Sequence, residues 1–89
     1  MPKASEIIRQ DIQKEAKEMI RLYEGAARLY GEAYTAHRDD RKADGDAAAK
    51  EAEKLGQRAR HIQAMIDGKE VVLKAVEAAE NSGALPNPG

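Results

Sequence analysis

Residues Asp40 to Glu51 offer the one arrangement in this chain with the donors to hold a metal ion. Laid on a twelve-residue calcium loop, Asp40 stands first, Asp44 fifth, Gly45 sixth and Glu51 twelfth, so carboxylates fall at ligand positions and a glycine falls where that loop turns sharply. Lys42 occupies the third position, where a charged ammonium has no lone pair to give and repels a cation, and Ala47 occupies the eighth, where a larger apolar residue belongs. The stretch is therefore read as a solvated, capped turn between helices. A carboxylate-bridged di-metal centre in a helical bundle needs inward Glu-x-x-His pairs, and neither His37 nor His61 has a Glu three residues before it. With two histidines, no cysteine and no glycine-rich phosphate loop, motif spacing assembles no nucleophile and base and no phosphate cradle. The expectation is a non-enzymatic protein with no catalytic residue, no metal and no cofactor.

Two further groups have the chemistry to recognise a partner. Arg21, Arg28, Lys54, Arg58 and Arg60 lie mid-helix, so an antiparallel hairpin brings them to one level as a basic belt suited to nucleic-acid phosphates. Glu24, Glu32, Glu51 and Glu53 are interspersed among them, and with a net charge of −1 the chain has no general attraction for polyanions. In size and plan such a hairpin resembles the small dimeric helical hairpins that bind paired RNA loops, with no motif of theirs present. In length it is similar to the secreted helical hairpins of the ESX type, whose turn tryptophan and tyrosine-based tail signal it lacks. Tyr23, Tyr30 and Tyr34 fall on one helix side, and tyrosine brings large contact area to an interface while keeping its hydroxyl wet. With Met19 and Leu29 they form the expected dimer or partner interface.

The element that positions these tyrosines is legible from periodicity. Ile12, Ala16, Met19, Tyr23, Ala26, Tyr30 and Ala33 recur at alternating spacings of four and three up to His37, the seam of a packed helix. Leu22, Leu29 and Ala36 flank it on one side and Ile20, Ala27 and Tyr34 on the other, which widens the apolar arc to about 200°. One neighbouring helix cannot cover that arc. Ser5 is expected to cap this helix, Glu24 and Arg28 to pair along it, and Gly25 and Gly31 to be tolerated surface glycines. The helix is predicted over about 5–40. The polar run from His37 to Asp46 makes an elbow at about 41–45, turning on Gly45, with Asp44 or Asp46 capping the next helix.

The second helix, at about 46–81, carries its seam at Ala48, Ala52, Leu55, Ala59, Ile62, Ile66, Lys69, Leu73 and Val76. The register passes through Asp67-Gly68 without a change of phase, so one continuous helix is predicted in preference to a three-helix bundle broken at Gly68. Its arc up to Ile66 is about 80–100°, half that of the first helix. Glu15 and Lys69 are read as charges near the bundle ends, where solvent reaches them. Asn81-Ser82-Gly83 stops the helix, and 84–89, with two prolines, is predicted to be a flexible tail.

Eighty-nine residues make one small domain, assigned to 1–83, and a monomer of this length buries only about 60–65% of its unfolded surface. Self-association is a common remedy. Three tyrosines are the only aromatics, and no apolar run approaches the roughly 20 residues of a membrane span. With neither cysteines nor an export signal, a cytoplasmic location is expected. The sequence thus predicts an all-α, coiled-coil-like antiparallel helical hairpin that dimerises into a four-helix bundle. Its expected role is that of a small adaptor or inhibitor that binds another protein. The second reading is an RNA- or DNA-binding regulatory hairpin.

Overall fold

From residue 3 to residue 85 the chain contains no proline, so only the polar run after His37 and the glycines can interrupt a helix. The computed structural model describes residues 2–83, and the predicted tail at 84–89 lies outside them. Two helices form, α1 at Ala4–Arg38 and α2 at Lys42–Asn81, packed antiparallel as an extended hairpin of 64 × 19 × 13 Å. α2 runs unbroken through Gly68, where an added Cβ would meet open space, so no neighbour forces a break. It ends at Asn81, and Gly83 takes φ +77° just beyond the last turn.

The connection is shorter than the sequence predicts. The Arg41 amide donates to the Ala36 carbonyl at 2.7 Å and the Asp40 amide to the His37 carbonyl at 3.2 Å, with Asp40 left-handed at φ 63°. These are the two bonds of a Schellman helix end. The chain therefore turns on Asp40 and not on Gly45, which corrects the elbow at 41–45. Asp44 and Asp46 lie inside α2 and do not cap it. Gly45 serves close packing instead, because a Cβ there would stand 2.5 Å from the His37 ring, and that ring places Nε2 3.2 Å from Asp46.

At the open end, Ser5 is not the N-cap. α1 starts at Ala4, and Ser5 is buried inside its first turn with its amide donating to Glu80 Oε2 at 3.3 Å. A carboxylate from α2 thus serves the amides that α1 leaves unpaired.

The core lies along one seam. Leu22, Ala26, Ala33 and Ala36 of α1 are buried against Ala52, Ala59 and Ile66 of α2. On α2 this is the predicted seam. On α1 it is displaced by one position, through Leu22, Leu29 and Ala36 in place of Tyr23, Tyr30 and His37. The cause is the small-residue surface that α2 presents: facing Ala52, Gly56 and Ala59, alanines let the backbones approach where tyrosine rings would hold them apart. Gly25 belongs to this close packing and is not a surface glycine, since a Cβ there would stand 3.1 Å from Leu55 Cδ1. Gly31 does face open space.

Charge pairs also cross the seam. Lys69 reaches Asp11 at 2.6 Å and bonds Glu15, whose side chain is only 19% exposed, and Arg9 meets Glu77 at 2.6 Å. Glu15 and Lys69 are therefore partners across the hairpin rather than separate solvated ends. The expected Glu24 to Arg28 pair is not among the ion pairs of α1, where Arg21 instead lies 3.7 Å from Glu18.

Candidate interaction surface

Shifting the α1 seam toward Leu22 and Leu29 turns the tyrosines outward. Ile20, Tyr23, Ala27, Tyr30 and Tyr34 recur at spacings of three and four, so they form one stripe along a broad side of the hairpin. Ile20 is 51% exposed, Tyr23 40%, Tyr30 52% and Tyr34 69%, values far above those of the core. Of the five residues expected to make the interface, the structure separates two from three. Met19 and Leu29 are half-buried between α1 and α2, whereas Tyr23, Tyr30 and Tyr34 are left exposed by their own chain. Ile20 and Ala27 join them on the stripe. Their signal was present as the flank of the predicted seam, and only the one-position shift makes that flank the surface.

The basic belt does not assemble as a single ring. All five cations are exposed. By their positions relative to the seam, Arg21, Arg28, Lys54 and Arg58 lie on the side opposite the tyrosines, while Arg60 lies on the tyrosine side. Glu18, Glu32 and Glu51 occupy that same opposite side closer to the seam, and Glu18 engages Arg21. The groove near the elbow is similarly balanced, with Arg28 and Arg41 against Glu32 and Asp44, and Arg41 lies 3.6 Å from Asp44. A shallower depression is lined by Lys54, Gln57, Arg58, His61 and Ile62.

The residues Lys42 to Glu51 are helical, so the twelve positions that match a calcium loop cannot wrap around a cation. Among the described residues no three histidine or carboxylate side chains converge as ligands. His37 is occupied with Asp46 and the α2 backbone at Gly45, and His61 lies in the depression above. One carboxyl departs from its ordinary range. Hydrogen bonding from Ser5 holds Glu80 below 4.5, helped by the nearby Lys3 and Arg9 charges and opposed by desolvation. Among the described residues no helix is long and apolar enough to cross a membrane.

Compared with protein-family models, with curated proteins and with solved structures, the chain matches none.

Proposed function

We propose that this hairpin is a self-associating interaction module: it dimerises through its tyrosine stripe into a four-helix bundle and acts, as an adaptor or inhibitor, by binding another protein. The observation that carries this reading is the contrast between the stripe and the core. Among the described residues, Leu22 and Ile66 are the only large apolar side chains buried in the core, the rest of which is alanine, while three tyrosines and Ile20 stand 40–69% exposed. Full burial of a large apolar side chain contributes about 1.5–3 kcal/mol, so covering these partly exposed groups is worth several kcal/mol to a hairpin with so thin a core. Tyrosine is suited to the task because its hydroxyl can stay in water at the rim.

A nucleic-acid role draws on fewer observations, since the four cations that share a side are interleaved with carboxylates. Phosphate binding would show a steep loss of affinity between low and moderate salt, and a protein contact made by the stripe would not. The test of self-association is light scattering together with thermal unfolding across a hundredfold dilution. A dimer whose melting temperature falls on dilution is the expected result. A monomer with an unshifted melting temperature would overturn the proposal. Tyr30→Arg should abolish association while leaving the helical circular dichroism signal in place.

A further inference from the structure

The stripe on α1 has a centre. Ile20 and Tyr34 stand seven residues either side of Ala27, and Tyr23 and Tyr30 stand four before it and three after it. In either chain direction the face therefore reads large, aromatic, small, aromatic, large. The same level on α2 falls near Gly56, because Glu15 meets Lys69 toward one end and His37 lies against Gly45 toward the other. There Glu53 and Arg60, both exposed and opposite in charge, stand three before and four after Gly56.

A pattern that reads the same both ways fits a two-fold axis perpendicular to the helices. An axis running along them would set the apolar stripe of α1 on the polar Glu53 and Arg60 side of the other α2. Building on the self-association proposed above, we propose that the occupant of this face is a second copy of the chain, related by a two-fold that crosses the helices at the level of Ala27 and Gly56. α1 then lies antiparallel on the partner's α1, and α2 on the partner's α2. Tyr34 packs against the partner's Ile20, Tyr30 beside the partner's Tyr23, and Glu53 meets the partner's Arg60 twice by symmetry. At the rim Asp46 falls near the partner's Asp67, and there Asp46 already has His37 at 3.2 Å.

The area suits a stable dimer. From the elbow at Asp40 to its image near residue 14 the overlap is about 40 Å long, and the hairpin is 19 Å wide. The product, about 750 Å² per protomer, is close to the roughly 800 Å² each partner gives to a standard interface.

The experiment uses charge reversal and distance. Glu53→Arg alone sets two arginines against each other at both symmetric contacts, and Arg60→Glu alone does the same with carboxylates, so each variant should self-associate about tenfold or more weakly. Mixed together, the two variants restore both pairs and should form the heterodimer in preference to either homodimer. Because the chain has no cysteine, single spin labels at Glu24→Cys and Gln10→Cys, both exposed and off the stripe, give the axis directly. Glu24 labels, three residues from the axis, should lie within about 20 Å of each other and Gln10 labels about 50 Å apart, being seventeen residues from the axis on each side. Short distances at both sites would place the axis along the helices and overturn this geometry, as would charge variants that associate like the parent chain. A chain that is monomeric at every concentration would overturn the self-association itself.

Discussion

Asp40 adopts a left-handed backbone that ordinary residues reach at a cost of about 1–2 kcal/mol, and it does so at the position of a Schellman end where glycine is favoured. Asp40→Gly should therefore stabilise the hairpin by up to about 1 kcal/mol, seen as a melting temperature a few degrees higher. Gly45 is the opposite case. Its Cβ would displace the His37 ring and with it the contact to Asp46, so Gly45→Ala should lower the melting temperature, whereas Gly31→Ala, with nothing within 4 Å, should gain about 1 kcal/mol of helix propensity and raise the melting temperature by a few degrees. The apolar residues divide in the same way. Leu22, at 7% exposure, should cost about 2–4 kcal/mol when cut to alanine, a loss that persists at high dilution. Tyr30→Ala should act on association, with a loss that vanishes on dilution. Glu80 adds a pH effect of definite sign. Its folded carboxyl titrates below 4.5, so its contribution is present above that value and is lost as the pH falls through the lowered folded pKa. The difference in melting temperature between the parent and Glu80→Gln should hold at neutral pH and close in acid.

Between the elements, the contact of Lys69 with Glu15 and Asp11 decides register more than stability. A ladder of alanines can slide by one heptad with little change in buried area, and a charge layer held at one level cannot. Lys69→Ala would leave Glu15, with its second carboxylate oxygen already without a hydrogen-bond partner, in a largely covered site beside Asp11, at a cost of about 3 kcal/mol in denaturant unfolding. Replacing Glu15 and Lys69 together with leucine should cost little or even stabilise. The double variant should instead broaden the distances between labels on α1 and α2, which reports slippage. Ala59 tests the close approach itself: it is fully buried, so Ala59→Leu should force the helices apart and lose about 1–3 kcal/mol.

At the scale of the whole molecule, a hairpin 64 Å long and 13 Å thick has no room for a core on any axis but its own seam. Side chains outside that seam lie on the surface of the single hairpin, and its own chain leaves the stripe of tyrosines uncovered. If the stripe is covered by a second copy as proposed, the stability of the folded chain should depend on its own concentration, and the interval over which the melting temperature shifts would give the strength of the proposed dimer.

Legibility in the sequence depends on which interactions are local. The two long helices, the continuity through Gly68 and the α2 seam from Ala48 to Val76 arise from periodicity, because the phase of apolar residues along one helix is a property of the chain itself. The excess apolar arc of α1 was legible for the same reason. The position of the α1 seam was not, since Tyr23 and Leu22 fit the repeat equally well and the choice between them depends on what the opposite helix presents. Ala52, Gly56 and Ala59 admit alanine and leucine at close range and exclude the rings. The turn at Asp40 and the partnership of Lys69 with Glu15 were hidden likewise, one because a glycine nearby carries the stronger local turn signal and the other because it joins residues 54 apart in the chain. Sequence alone determined that α1 has more apolar surface than a hairpin can bury. Only the packing of α1 on α2 decided which part of that surface is left outside, because burial is settled by the neighbour and not by the residue.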